Sequence, residues 1–144
     1  MPGYSGTPLA KKLGIKDDFR AALLHVPDEV KTELRDVFGK CRIQHGSVHT
    51  SRDLDFIFLC AKSRAGLELE LIPAAKALAP AGMLWISWPK KSSGVITDLS
   101  ETNVRTIGLA AGLVDVKICA VDDVWSGLKF VFRLKDRARV RPVS

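Results

Sequence analysis

Two apolar runs separated by a helical pattern constrain the fold of this chain most strongly. Residues 54–60 are apolar apart from Asp55, and residues 83–88 form a second run of the same kind. Continuous apolar sequence of this length is typical of a strand that is covered on both faces of a sheet. Between the runs, apolar residues recur on one helical face from about Arg64 to Ala79. The alternation of strand, helix and strand predicts a mostly parallel sheet with helices packed against it.

The same alternation continues on both sides of this central unit. The other predicted elements are strands at 19–26, 41–44, 114–121 and 127–133, a helix from Pro27 to Gly39, and a helix from Ser100 to Gly112. The last two strands are joined by a short turn, so they are expected to pair antiparallel. We therefore predict a three-layer α/β fold: a mostly parallel sheet with helices on both faces and a C-terminal antiparallel hairpin.

Charge divides the chain into three parts. Residues 1–16 contain three lysines and no acidic residue, and residues 134–144 contain four basic residues and one acidic residue. Each end therefore contributes +3 to the net charge of +6, and residues 17–133 are neutral overall. We predict an N-terminal basic segment (1–16), one α/β domain (17–133) and a basic, extended C-terminal tail (134–144). Basicity confined to the ends does not favour a nucleic-acid binder, which more often carries a basic stripe on its folded body.

The cysteines and the hydropathy pattern bear on location. Cys41, Cys60 and Cys119 are odd in number and widely spaced, and the last two lie in apolar runs that predict buried strands. No apolar run approaches the roughly 20 residues that span a bilayer. The first residues lack the basic region and apolar stretch of a signal peptide. These features predict a cytoplasmic protein with no membrane partner.

The order of elements over residues 55–133 resembles the second half of class I methyltransferases. The resemblance lies in a strand, a long helix ending in residues 77–82 (Ala-Leu-Ala-Pro-Ala-Gly), a strand, a helix and a hairpin. It implies a Rossmann-like sheet. Enzymes of this kind that use S-adenosylmethionine leave their first strand through a Gly-rich loop, which lets the backbone approach the cofactor.

The first half of the chain lacks the cofactor-binding features that this resemblance implies. The turn at residues 24–29 contains no glycine, and residues 44–47 contain no acidic residue for the ribose hydroxyls. The stretch between residues 45 and 54 is too short for the usual additional helix and strand. We therefore predict a truncated methyltransferase-like layout without the S-adenosylmethionine-binding loop, and no cofactor.

Three segments resemble an uncharacterised bacterial domain-of-unknown-function family. They are residues 3–16, residues 88–99 (beginning Trp-Pro-Lys-Lys-Ser-Ser-Gly) and residues 112–122. This resemblance spans nearly the whole chain. It identifies relatives and implies no particular activity.

Candidate ligand-binding residues follow from the predicted sheet, because open α/β sheets bind ligands beyond the carboxyl ends of their strands. Two tryptophans beside several cations would suit a planar or anionic ligand. The alternative is that the tryptophans cover the end of the core and the lysines are solvated. The loop at 88–99 is either an anion-binding nest or an ordinary connection. The candidates are His25, Lys62, Arg64, Trp88, Lys90, Lys91, Trp125 and Ser126.

The sequence offers weak signals for a metal or a catalytic centre. Cys41, His45 and His49 are spaced by four residues, but a structural zinc site needs a fourth ligand, so we predict no metal. The pair Asp122-Asp123 is either a functional group or a turn element. No Gly-x-Ser-x-Gly elbow is present, and we assign no catalytic residue.

We therefore predict a non-catalytic ligand- or protein-binding domain on a methyltransferase-like scaffold. One alternative is an enzyme acting on an anionic or aromatic ligand at the strand edge, such as a divergent methyltransferase. The other is a nucleic-acid accessory protein that uses the basic ends.

Overall fold

The computed structural model describes residues 8–44, 48 and 51–137. The helices are α1 (Leu9–Leu13), α2 (Asp28–Glu33), α3 (Arg35–Phe38), α4 (Arg64–Ala77) and α5 (Glu101–Ala110), with short 3-10 turns at Lys91–Ser93 and Leu134–Asp136. The strands are β1 (Arg20–Leu24), β2 (Arg42–Gln44), β3 (Leu54–Cys60), β4 (Leu78–Pro89), β5 (Leu113–Ala120) and β6 (Trp125–Phe132).

The six strands form one sheet in the order β2-β1-β3-β4-β6-β5. Strands β2, β1, β3 and β4 run parallel, whereas β6 is antiparallel to both β4 and β5. Helices α4 and α5 contribute to the core on one face, and α1, α2 and α3 contribute to the core on the other. The predicted fold, a mostly parallel sheet between two helical layers with a C-terminal antiparallel hairpin, is therefore confirmed.

Strand β3 shows why its sequence is apolar at consecutive positions. Ile57 and Leu59 pack into the core beneath α4 and α5, whereas Phe56, Phe58 and Cys60 pack into the core beneath α1 to α3. Side chains alternate between the two faces of a strand, so burial on both faces requires an unbroken apolar run. The central position of β3 also places its carboxyl end between helical layers.

The N-terminal segment contains a helix that we did not predict. Leu9 and Leu13 of α1 are buried against the sheet, and Ile15 follows them into the same core. The indole Nε1 of Trp85, on β4, donates a hydrogen bond of 2.9 Å to the carbonyl oxygen of Leu13. The described part of the basic segment 1–16 therefore packs against the domain that we predicted to begin at residue 17. In the C-terminal tail, residues 134–136 form a 3-10 turn where we expected extended chain, and residues 138–144 lie outside the described residues.

Two helix boundaries differ from the sequence prediction. The single helix predicted from Pro27 to Gly39 is broken at Leu34, where ψ is 7°, into α2 and α3. Helix α4 includes Pro73 and ends at Ala77, and β4 begins at the next residue. The Pro80-Ala81-Gly82 sequence, which we expected to stop the helix, therefore lies inside the strand. A register shift in the β3–β4 pairing accommodates this early start.

Ser100 caps the N-terminus of α5. The backbone N–H of Asn103 donates to Ser100 Oγ, and the Asn103 side chain accepts from the backbone N–H of Ser100, which completes a capping box. Between β2 and β3, the described residues 48 and 51–53 form neither helix nor strand. Across the described part of the chain, the helices are all too short or too polar to cross a membrane.

Candidate ligand-binding cleft

A cleft opens where β1 and β3 end side by side. Within the sheet, β1 pairs with β2 along one edge and with β3 along its other edge. The neighbouring strands β1 and β3 therefore form the switch point of the topology. Open α/β sheets bind ligands at this place. The cavity has a volume of about 670 Å³, within the range of about 300–1,000 Å³ that small-molecule sites occupy. Its apolar lining consists of Cys60, Ala61, Leu69, Val95, Val124 and Trp125.

His25 forms the turn that leads out of β1 into the cleft. Its φ angle is 58°, in the left-handed region that glycine adopts most easily. A non-glycine residue held there costs on the order of 1–3 kcal/mol. The His25 Nε2 atom lies 2.8 Å from Glu70 Oε1, on helix α4. The imidazole thus connects the end of β1 to α4 at the turn where the methyltransferase resemblance would place a Gly-rich loop.

Glu70 is incompletely hydrogen-bonded. Its Oε1 contacts His25, but its Oε2 is buried and has no hydrogen-bond partner among the residues that the structure describes. An unsatisfied buried acceptor costs about 1–3 kcal/mol. Ordered water satisfies such atoms in many proteins, and so does a bound ligand. Glu70 is therefore the group in the cleft whose bonding is left incomplete.

The charged groups of the lining give the cleft a negative balance. Glu29 and Glu70 contribute two carboxylates, and Lys62 contributes the single ammonium group. The two carboxylates and the ammonium group sum to one negative charge. This balance does not favour the anionic ligand that we considered from the sequence.

Cys60 lies at the floor of the cleft. Burial raises the pKa of its thiol to about 12, and a hydrogen bond with the side chain of Ser87 only partly opposes this effect. The nucleophilic form of cysteine is the thiolate. Cys60 therefore stays protonated at neutral pH and serves as part of the apolar floor.

The structure brings three of the eight predicted site residues together in the cleft: His25, Lys62 and Trp125. Trp125 presents little of its surface, since only 7% of it is exposed. Lys62 is exposed at the rim, and its carbonyl oxygen accepts a hydrogen bond from the Thr97 hydroxyl. From the sequence we expected two tryptophans beside several cations. Of these groups, the ammonium group of Lys62 and the mostly covered indole of Trp125 line the cavity.

The other predicted residues lie outside the lining. Arg64 begins α4, where its backbone N–H donates to Asp98, and it lines a separate groove between α4 and α5. Trp88 is 5% exposed and belongs to the core beneath those helices. Ser126 pairs with Trp88 in the β4–β6 ladder, and its carbonyl oxygen accepts from Ser87 Oγ.

Lys90 and the β5–β6 turn are hydrogen-bonded to each other. The Lys90 ammonium donates to the carbonyl oxygen of Asp122 at 2.7 Å, and the Lys90 backbone N–H donates to Val124. Asp122 Oδ1 accepts from the backbone N–H groups of Val124 and Trp125. Asp122 therefore serves turn geometry, one of the two alternatives left open by the sequence. Lys91 is exposed in the adjoining 3-10 turn.

Glu29, Cys60 and Glu70 were missing from the sequence-based candidates. Glu70 was overlooked because it lies on a helix, whereas our search was confined to strand ends and loops. One signal was available in the sequence: Gly66, Leu69 and Glu70 are spaced to share a helical face offset from the core face. The structure shows that all three line the cavity.

Of the three residues spaced like zinc ligands, Cys41 alone lies among the described residues. Cys41 Sγ donates to the carbonyl oxygens of Lys16 and Val37, whereas His45 and His49 lie outside the described residues. Within residues 8–44, 48 and 51–137, no group of three or more His, Cys, Asp or Glu side chains is positioned to bind a metal ion.

Solved structures with the same fold include S-adenosylmethionine (SAM)-dependent methyltransferases. A SAM-dependent methyltransferase from Aquifex aeolicus is 14% identical, with a TM-score of 0.57, over 85% of this chain and 86% of that one. A TehB-like SAM-dependent methyltransferase from Corynebacterium glutamicum is 12% identical, with a TM-score of 0.55, over 91% and 90%. A methyltransferase of calicheamicin biosynthesis is 12% identical, with a TM-score of 0.63, over 88% of this chain and 52% of that chain.

These similarities define the class of the scaffold: a methyltransferase-like, Rossmann-like α/β fold. No protein-family model matches the chain, and no curated protein matches it in sequence. At these levels of identity the comparison establishes the fold alone.

Proposed function

We propose that this protein is a non-catalytic binding domain that holds a small ligand in the cleft between β1 and β3. The hydrogen bond between His25 and Glu70 at the mouth of this cavity carries the proposal. It places an imidazole at the turn where S-adenosylmethionine enzymes need glycine, while a cavity of ligand size persists beside it. The methyltransferase-like scaffold thus carries a cleft that is lined by His25 where a Gly-rich loop would be expected.

The same pair of residues favours one alternative, a divergent methyltransferase. A carboxylate that holds one nitrogen of an imidazole can orient the other nitrogen as a general base. The related folds are those of SAM-dependent methyltransferases, which gives this alternative its cofactor. In that case S-adenosylhomocysteine would bind in the cleft.

Calorimetric titration with S-adenosylhomocysteine separates the two functions. We expect no binding tighter than about 100 μM, or roughly −5.5 kcal/mol. Tighter binding that is weakened in His25→Ala would favour the methyltransferase and contradict the non-catalytic proposal.

A thermal-shift screen of small amines, carboxylates and aromatic compounds tests the cleft itself. We expect a stabilising compound whose effect is reduced in Leu69→Ala, because Leu69 forms an exposed wall of the cavity. Ile72→Ala is the matched control, since Ile72 is also an exposed apolar residue of α4 but lines the neighbouring grooves. Equal loss in both variants, or no loss in either, would place the ligand elsewhere.

We also propose a cytoplasmic location and membership of the uncharacterised bacterial family that residues 88–99 and 112–122 resemble. Three free cysteines support the location, because thiols persist in a reducing compartment. A protein partner would contact the loop beside the cleft, where Ile96, the residue after the lining residue Val95, is 95% exposed. The proposal of nucleic-acid binding depends on the basic residues of the two ends. Lys11, Lys12, Lys16, Lys135 and Arg137 lie among the described residues, and Arg139 and Arg141 lie outside them.

A further inference from the structure

We infer that the ligand of the cleft is an organic amine whose ammonium group binds Glu70 and whose apolar body lies against Leu69, Val95 and Val124. This inference rests on the proposed function, because it names the class of ligand that the same cavity accepts. Three observations support it: the charge of the lining, the bonding of Glu70 and the exposed apolar walls.

The charge of the lining selects a cation. Glu29 and Glu70 face the cavity with one opposing ammonium group, that of Lys62. Lys90 is not part of the lining, and its ammonium group donates to the carbonyl oxygen of Asp122. Counted over these side chains alone, the lining therefore favours a positively charged ligand over an anion.

The bonding of Glu70 indicates what kind of cation fits. One carboxylate oxygen contacts His25 at 2.8 Å, and the other is buried with no partner among the described residues. An imidazole nitrogen offers one donor to this carboxylate, whereas an ammonium group offers three. An amine can therefore satisfy both oxygens through charge-assisted hydrogen bonds, which are stronger than neutral ones.

His25 can give way to the amine without disturbing the core. Its side chain is 66% exposed, so the ring can turn into solvent and give up its contact with Glu70 Oε1. The ligand then replaces His25 as the partner of Glu70. Removal of the imidazole should accordingly strengthen binding of the amine. Removal of the Glu70 charge should abolish the preference for an amine over a neutral ligand.

The walls of the cavity indicate that the amine carries an apolar body. Leu69 is 78% exposed and Val95 is 36% exposed, on opposite elements that border the same cavity. Covering these side chains removes apolar surface from water. An arylalkylamine fits this combination of a carboxylate and apolar walls, whereas a small hydrophilic amine leaves the walls exposed.

Calorimetry with three indole compounds of similar shape tests the inference. The probes are tryptamine (cationic), tryptophol (neutral) and indole-3-acetate (anionic), titrated into the full chain at neutral pH. We expect tryptamine to bind at least roughly tenfold more tightly than tryptophol, a difference of about 1.4 kcal/mol, and indole-3-acetate to bind most weakly. Glu70→Gln should remove the preference for tryptamine, whereas His25→Ala should keep or increase it.

Glu68→Gln is the matched control, because Glu68 lies on the same helix but lines the groove between α4 and α5. It should leave all three affinities unchanged, and thermal unfolding should show that each variant is folded. If tryptophol or indole-3-acetate binds as tightly as tryptamine and Leu69→Ala weakens that binding, the cleft is a ligand site and only the amine inference is wrong. If tryptamine does not bind, or if Glu68→Gln acts like Glu70→Gln, the amine inference is also wrong, and the compound screen then decides the proposed function separately.

Discussion

Two loops at the carboxyl edge of the sheet differ in how completely their polar groups are bonded. The loop after β4 is rich in lysine and serine, and its Lys90 ammonium is bound to the β5–β6 turn. The turn after β1 contains the strained His25, whose partner Glu70 keeps a buried oxygen unpaired. The loop with the more conspicuous sequence thus bonds its polar groups largely to neighbouring protein groups and lines the cavity with the apolar Val95, whereas the plainer turn lines it with the polar His25.

This difference indicates which loops of such a scaffold are candidates for a ligand-binding site. A run of charged residues and a glycine indicate a loop, but they do not say whether its donors are already used. In the loop after β4, Ser93 Oγ donates to the carbonyl oxygen of Lys90 and accepts from the backbone N–H of Val95. Incomplete bonding beside a cavity is the more informative signal, because unsatisfied buried groups are uncommon in folded proteins.

The largest expected effect concerns Trp88, which we had considered as a ligand platform. Trp88→Ala should lower the free energy of unfolding by about 3–5 kcal/mol, because it removes a large side chain from the core. Lys62→Ala, at the exposed rim of the cleft, should change it by less than about 0.5 kcal/mol. Urea unfolding measures both. A small loss in Trp88→Ala would mean that the indole is not core and would restore it as a candidate for binding.

The second-largest expected effect is the dependence of stability on pH that Cys60, at the floor of the cleft, produces. The pKa of Cys60 is raised to about 12 in the folded protein, from an ordinary value near 9.0. The unfolded chain therefore releases this proton first, and the stability that the neutral thiol provides is complete below about pH 9 and lost as the pH rises towards 12. Since one pKa unit corresponds to about 1.4 kcal/mol, the loss amounts to roughly 4 kcal/mol.

Urea unfolding between about pH 8 and pH 11 compares the wild type with Cys60→Ala. The variant starts less stable because it leaves a small cavity, but its stability should fall less steeply with pH. Cys41→Ala is the control, since Cys41 is only partly buried. Equal slopes for wild type and Cys60→Ala would show that the thiol is accessible to water, and Cys60 would then deserve testing as a reactive group of the cleft.

The central strands were predictable because burial on both faces leaves an unbroken apolar run, as in β3. The start of β4 was not predictable in this way: Leu78 and Ala79 continue the apolar helical pattern and Pro80-Ala81-Gly82 is typical of a helix end, yet Leu78 already pairs with Leu54 of β3. Helix α1 was missed because its two buried leucines are flanked by Lys11 and Lys12, which suggested a solvated segment. Tertiary packing decides such short elements.

The candidate site was predictable in position and not in composition. The rule that ligands bind beyond strand ends correctly directed attention to the edge where His25 and Lys62 lie. It could not identify Glu70, which reaches the cavity from the middle of α4. It also could not show that Lys90 is used by the neighbouring turn, because that contact joins residues distant in sequence.

The smallest effect concerns the backbone of the turn after β1. His25→Val and His25→Asn both remove the imidazole that contacts Glu70, so the difference between them reports chiefly the left-handed conformation. Asparagine tolerates this conformation, whereas a β-branched side chain does not. We expect His25→Val to be less stable than His25→Asn by about 1–2 kcal/mol in urea unfolding.

Lys62→Val and Lys62→Asn provide the control pair, because Lys62 is exposed at the same cleft and has no positive φ. There, valine and asparagine should differ by less than about 0.5 kcal/mol. If the His25 pair differs no more than the Lys62 pair, the turn relaxes to another conformation when its side chain is changed. The shape of the cleft would then depend on the His25–Glu70 bond, and an amine that displaces His25 would also reshape the cavity that receives it.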